Sequence, residues 1–332
     1  MKAAVVGSGA WGTALALCLH RNGCATTLWC RDEEKAAKIA RTRVNPRLPG
    51  QLLPDGLAIS GDPACVAGCA LVVIATPSAH IRSVCKLVAP YLDDDVTVVS
   101  VTKGVESGTL MRMSQVVSEE TKRTVVALTG PSHAEEVAAK LPTGCLAACP
   151  DKAKAEFVQD AFMSDTLRVY TSPDIVGAEL GGAMKNVIAL CAGVCDGLGY
   201  GDNTKAMLMT RGLTEMARLG VSLGAKKETL AGLSGIGDLV VTCTSMHSRN
   251  RQAGILIGQG KSVQQAMDEV GAVVEGYYAA KSVWELCKKQ DVEMPILQAA
   301  YDVLYRNIPA DIAVRELLMR RKKAEIEDAG WL

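Results

Sequence analysis

The chain opens on a pattern that leaves few folds available to it. Ala3 to Val6 form a short apolar run, Gly7-Ser8-Gly9-Ala10-Trp11-Gly12 follows, and Thr13 to Leu17 continue in an apolar helical rhythm. This is G-x-G-x-x-G set between a strand and a helix, the start of a dinucleotide-binding βαβ unit. Gly7 permits the tight turn, Gly9 lets a pyrophosphate approach the backbone, and Gly12 lets the helix pack close to the strand. The free N–H groups and the positive dipole end of the helix then face the phosphates. A plain glycine-rich turn is the other reading of the same residues.

The region behind this motif alternates strand and helix signals. Short apolar segments at 2–6, 26–30, 71–75, 96–101 and 124–128, with weaker ones at 144–149 and 167–170, read as strands buried on both faces. Helical stretches such as 32–41, 79–89 and 133–140 separate them. The expected fold class is α/β, an N-terminal doubly wound Rossmann-type domain over residues 1–172. From Pro173 onward β-branched runs nearly vanish. Helical segments at 173–195, 203–223, 226–231, 248–258, 262–269, 275–289, 295–306 and 310–320 predict a mainly helical domain over 173–332.

Composition excludes several function classes. The 36 basic residues equal the 36 acidic ones, so nothing global attracts nucleic acid or an anionic membrane. Arg320-Arg321-Lys322-Lys323, close to the end of the sequence, reads as a solvated helix end in preference to a nucleic-acid patch. The 12 cysteines fall at C-x-x-x-C spacings such as Cys65…Cys69 and Cys191…Cys195, inside apolar segments. They read as small buried hydrophobes in a reducing cytoplasm, not as a zinc or redox motif. His20, His80, His133 and His247 show no ligand spacing, so no metal is expected. Glycines interrupt the N-terminal apolar stretch, against a signal peptide, and no uncharged apolar run of 18 residues predicts an integral membrane segment.

Ligands of a doubly wound sheet sit beyond the carboxyl ends of its strands. Thr76-Pro77-Ser78, Thr102-Lys103-Gly104 and Gly130-Pro131-Ser132-His133 all fall there. Lys103 would point into the crevice or lie on the surface; Ser132 would bind a ligand or cap a helix. Near the end of the second strand, about 20 residues past the glycines, an acid would bond the ribose of NAD. Here Arg31-Asp32 stands instead. Arg31 suits a 2′-phosphate, which favours NADP(H) without excluding NAD(H); a solvated pair at a helix start is the alternative. In the helical region, Lys185 stands among Gly and apolar residues in Glu179 to Leu190. Burial lowers the pKa of such a lysine, as proton transfer requires, unless it snorkels to water. Gly235-Ile236-Gly237-Asp238 reads as a glycine turn presenting an acid, or one that merely caps the segment after it. Ser248-Arg249-Asn250, after a helix-breaking stretch at 242–247, would gather a helix dipole, a guanidinium fork and two polar side chains on a phosphate, or simply cap a helix.

Taken together, GSGAWGTALA, TKGVE, GPSHAEEVA, ELGGAMKNVIAL, GLSGIGDLVVTCTS, SRNRQ and VVEGY resemble the NAD(P)-dependent glycerol-3-phosphate dehydrogenases of the bacterial soluble type, in order along nearly the whole chain. The resemblance implies reversible reduction of dihydroxyacetone phosphate to sn-glycerol 3-phosphate for glycerophospholipid synthesis. It implies Lys185 as proton acceptor in the oxidation direction, with Lys103 and Asp238 beside it. It implies cofactor contacts from Gly7, Gly9, Ala10, Trp11, Gly12, Arg31, Lys103, Ala134, Arg249, Val273 and Glu275. It implies substrate contacts from Lys103, Gly130, Ser132, Lys185, Asp238, Ser248, Arg249 and Asn250. His133 departs from the Phe many relatives carry, and Ala10 from a frequent Ser. A homodimer is compatible with this reading. Two alternatives stay open: a sister dehydrogenase of another hydroxy acid, which needs a carboxylate clamp, and a silent NADP(H)-binding sensor, which should lack Lys185 or Lys103.

Overall fold

The computed structural model describes residues 1–325; residues 326–332, the end of the expected second domain, lie outside the described residues. Eight strands, β1 (Lys2–Val6), β2 (Ala25–Trp29), β3 (Ala58–Ser60), β4 (Leu71–Ile74), β5 (Thr97–Ser100), β6 (Val125–Thr129), β7 (Thr143–Ala148) and β8 (Leu167–Ser172), form one sheet in the order β3-β2-β1-β4-β5-β6-β7-β8. The order reverses between β1 and β4, so the crevice of a doubly wound sheet opens beyond Val6 and Ile74. Helices α1 (Ala10–Arg21), α2 (Glu33–Thr42), α3 (Ile81–Val88), α4 (Met113–Thr121), α5 (Ala134–Ala138) and α6 (Lys152–Phe162) cover the sheet. Two apolar clusters result, one built on Val5, Leu15, Val73 and Phe162, the other on Val6, Ile74, Val84 and Val117. Alternate residues of β1 thus feed opposite faces, which is why its sequence is apolar throughout.

Two features of the sheet differ from the expectation. β7 runs antiparallel to β6 while remaining parallel to β8, so the sheet is mixed. β3 was not expected. It is a three-residue edge strand without a buried apolar run, paired to Thr27–Trp29, so it carries no periodic signal.

The second region contains α7 (Ile175–Gly197), α8 (Asp202–Ser222), α9 (Lys227–Leu230), α10 (Asp238–Thr244), α11 (Arg249–Gly258), α12 (Val263–Val270), α13 (Glu275–Lys289), α14 (Pro295–Arg306) and α15 (Ala310–Leu318). α7 is its axis. Asp174 caps it by accepting the Gly177 N–H at 2.9 Å, and nearly every residue from Gly177 to Cys195 is buried. A helix apolar all round belongs inside a fold or a membrane. By length and composition α7 could span a bilayer, yet 89% of its most apolar window is covered by the surrounding helices. α11 lies against it at backbone contact. A Cβ at Gly193 would fall on the Arg251 carbonyl oxygen, and one at Gly254 on the Leu190 carbonyl oxygen.

The segment before α10 also departs from the expectation. Leu233–Gly237 is a π-helical turn that runs directly into α10, and α10 occupies part of the stretch read as helix-breaking. Its glycines and threonines masked the helix. Gly235 is required there because its Cα packs on the Leu230 backbone, and Gly181 of α7 lies against the Ser234 carbonyl.

Candidate active site

Three charged side chains from three separate segments meet at the carboxyl edge of the sheet. Lys185 comes from the middle of α7, Asp238 from the first turn of α10, and Lys103 from the loop after β5. Lys185 Nζ donates to Asp238 Oδ1 at 2.5 Å and to Thr242 Oγ1 at 2.7 Å. Lys103 Nζ donates to Asp238 Oδ2 at 2.6 Å and to the Gly130 carbonyl at 3.2 Å. The side chains are 8% (Lys185), 1% (Asp238) and 20% (Lys103) exposed. Burying such charges is tolerable only because each finds a partner. Two cations share one anion, so the array keeps one net positive charge facing the crevice.

Burial is the largest influence on Lys185 and pushes its ammonium down to about 8; Asp238 opposes this, and Lys103 adds to it. Burial alone would raise Asp238, but Lys103 and Lys185 outweigh it and hold the carboxyl below its ordinary value. The snorkelling alternative for Lys185 does not hold. Asp238 lies within α10 and spends both oxygens on the lysines, so it does more than cap that helix.

Around this array the β6–α5 loop turns at Gly130, whose φ is +135°. Ser132 donates to the Gly130 carbonyl at 3.0 Å. His133, not Ser132, occupies the N-cap position of α5, without a side-chain cap bond, so the capping alternative for Ser132 falls. His133 Nε2 is buried without a partner among the described residues, and its ring lies 5.9 Å from that of His247. At the start of α11, Ser248 Oγ does act as a cap, accepting the Arg251 N–H at 3.3 Å. Its own O–H remains able to donate. Asn250 is buried; its amide donates to Asn186 Oδ1 at 3.0 Å and accepts the Gly276 N–H at 2.8 Å. Arg249 is exposed; burial raises the Glu275 carboxyl above its ordinary value, opposed mainly by its bonds with Ser78 and less by Arg249. Asn186 carried no expected role. Its adjacency to Lys185 was the only available signal.

The side expected to take a nucleotide lies beyond β1 and β4. Gly7, at φ +125°, packs on the Ala75 backbone, and a Cβ at Gly12 would fall on the Gly7 carbonyl. A Cβ at Gly9 would meet nothing within 4 Å, so the turn presents backbone to open space. No side chain caps α1, leaving the first-turn N–H groups of Ala10, Trp11 and Gly12 for a ligand. Thr76 Oγ1 and Ser100 Oγ, at the ends of β4 and β5, are buried without partners among the described residues. These features fit a dinucleotide. Asn45, which was not anticipated, braces the turn by donating to the Ser8 carbonyl at 3.0 Å and to Thr13 Oγ1 at 2.7 Å. Arg31 is exposed past the end of β2. Asp32 caps α2 through the Lys35 N–H at 3.0 Å, and that bond lowers its carboxyl. Ala134 is buried in the first turn of α5; Val273 is exposed just before α13, and Glu275 accepts from Ser78 at 2.8 Å.

Two family models cover the chain. The N-terminal domain of NAD-dependent glycerol-3-phosphate dehydrogenase matches residues 2–155, and its C-terminal domain matches residues 174–315. The chain belongs to the NAD-dependent glycerol-3-phosphate dehydrogenase family. It is 50% identical over 330 residues to a glycerol-3-phosphate dehydrogenase (NAD(P)+) of Moorella thermoacetica, spanning 99% of this chain and 98% of that relative. It is 48% identical over 332 residues to the Fusobacterium nucleatum enzyme of the same name, spanning 98% and 99%. The crystal structure of glycerol-3-phosphate dehydrogenase from Coxiella burnetii superposes with a TM-score of 0.92 at 37% identity, covering 96% of this chain and 99% of that one. As a glycerol-3-phosphate dehydrogenase family member the chain is an NAD(P)-dependent oxidoreductase, with a Rossmann-like sheet followed by a helical domain.

Proposed function

We propose that the chain catalyses reversible reduction of dihydroxyacetone phosphate to sn-glycerol 3-phosphate, at the entry to glycerophospholipid synthesis. The observation that carries this is the buried Lys103–Asp238–Lys185 array at the same carboxyl edge of the sheet as the Gly7–Gly12 turn. Bound NAD(P)H supplies the hydride for the substrate's C2. Lys185 delivers the proton to O2 and, with Lys103, stabilises negative charge developing on that oxygen. Asp238 holds both ammonium groups in place. In the oxidation direction neutral Lys185 accepts the proton, which its lowered pKa allows near neutral pH. Ser248, Arg249 and Asn250 at the start of α11 hold the phosphate, with Gly130 and Ser132 beside it. The Gly7–Gly12 turn, Arg31, Ala134, Val273 and Glu275 serve the cofactor. The functional division of the chain falls after Ser172, where the sheet ends. Twelve free thiols, ten of them buried, support a reducing cytoplasm as its location, and a homodimer is the proposed assembly.

Following NADPH absorbance with dihydroxyacetone phosphate and with a 2-keto acid of similar size tests the reading. Turnover of the phosphate alone supports it; preference for the keto acid sinks it. Two variants refine it. Arg249→Lys keeps the charge but loses the fork, so KM for dihydroxyacetone phosphate should rise, with a smaller rise for NADPH. Unchanged KM for both would send the phosphate elsewhere. Arg31→Ala should weaken kcat/KM with NADPH far more than with NADH, because a guanidinium pairs with the 2′-phosphate. With Asp32 committed to the α2 N-terminus, Arg31 is the charged group left to read that position. Equal losses would show that it does not.

A further inference from the structure

A second connection joins the two segments that carry the lysines. Glu179 lies on α7 six residues before Lys185, about 9 Å along the helix axis. It is 7% exposed. One carboxylate oxygen accepts the Ser114 N–H at 2.6 Å; the other accepts the Ser114 hydroxyl at 2.6 Å. Arg112 forms an ion pair with the same carboxylate. These partners are the N-cap and first turn of α4, at the far end of the loop that carries Lys103. A buried carboxylate with three charge-assisted or backbone partners is a rigid joint.

The loop itself is closed. Val105 bridges Arg112, and the Glu106 N–H bonds to the Met111 carbonyl at 2.9 Å. Arg82 grips Glu106 with two bonds of 2.8 Å, and Thr102 Oγ1 donates to the Thr76 carbonyl at 2.8 Å. Lys103 and Arg112 therefore belong to one stiff unit, fixed to the sheet. Between Glu179 and Lys185, a Cβ at Gly182 would stand 3.3 Å from Lys103 Cγ and 3.2 Å from Thr129 Oγ1. The position of α7 over the loop is thus set at that close approach and at the Glu179 joint.

We infer that Glu179 is a positioning residue for this reaction: by anchoring α7 to Arg112 and Ser114 it fixes Lys185 opposite Lys103 on the two oxygens of Asp238. It touches neither substrate nor cofactor. Its loss lets α7 lift from the loop, admits water to the lysines and separates them. Burial is the main influence lowering Lys185, so wetting the array raises that ammonium toward its ordinary value.

This inference rests on the function proposed above, and the wild-type protein separates the two. Wild type inactive on dihydroxyacetone phosphate refutes the function itself. Given activity, Glu179→Ala, Glu179→Gln and Arg112→Met are compared in the full chain for kcat against pH, NADPH affinity by fluorescence and thermal midpoint. Glu179→Ala should lose roughly 10–100-fold in kcat, the scale of a displacement near 1 Å. Its alkaline limb should move to higher pH with NADPH affinity unchanged. Arg112→Met should move the limb the same way by less. Glu179→Gln, which can still accept from Ser114, should lie nearest wild type. Should Glu179→Ala fail to fold, the other two variants decide on the same readouts. Variants that lose thermal stability yet keep kcat and the limb of wild type would overturn the inference and leave Glu179 a purely structural joint.

Discussion

Lys185→Ala is expected to lower kcat for dihydroxyacetone phosphate reduction by roughly 10²–10⁴-fold, the range for loss of a positioned general acid. NADPH binding should survive, because the Gly7–Gly12 turn belongs to the sheet and not to α7. The pH dependence gives a second, independent signature. Reduction needs the ammonium form, so wild-type kcat should fall as pH rises through about 8. Oxidation of glycerol 3-phosphate needs the neutral amine and should rise over the same interval. In Lys185→Ala both limbs should vanish from the residual rate. Turnover near wild type, or limbs that persist, would remove Lys185 from the proton transfer.

Asp238→Asn should produce the opposite shift from the Glu179 variants. The amide keeps the shape of the carboxylate but not its charge, so two ammonium groups face each other in a buried site. Leaving buried charge uncompensated costs about 3–5 kcal/mol of stability, visible as a lowered denaturation midpoint. Without its main opposing charge Lys185 should titrate lower still, so the alkaline limb should move below its wild-type position. We expect kcat to fall on the order of 10²-fold as the lysines lose their common anchor. A limb that stays in place would mean that Asp238 does not set the protonation of Lys185.

Much of the site was legible because its residues violate local expectation. Lys185 is the one cation on a helix that is buried along most of its length, and such a residue has to have a partner. The strands from β1 to β6 that were anticipated are apolar on both faces, the mark of a covered parallel sheet. β3 escaped because three residues at an edge carry no period. The direction of β7 escaped because strand polarity depends on the path of the connection and not on composition. The π turn and α10 escaped because glycine and threonine weaken helix propensity, while tertiary packing against α7 overrides it. Asp238, read from the sequence as an acid on a glycine turn, stands at the start of α10. Glu179 and Asn45 act through partners 65 and 32–37 positions away in the chain. Nothing within a short window marks either of them.

The backbone contact between α7 and α11 bears on how this scaffold can be retooled. Where Gly193 and Gly254 cross, backbone meets backbone, so neither helix has a side chain there to yield to a bulkier substrate. A change there would strike a carbonyl and not a flexible side chain. The spacing between Lys185 and the Ser248–Asn250 corner is in effect a fixed gauge. New specificity must come from residues that line the gap, such as those after Gly130, where side chains can be exchanged without moving a helix. Directed evolution toward larger ketones should accumulate its productive changes in those loops and leave Gly193 and Gly254 untouched.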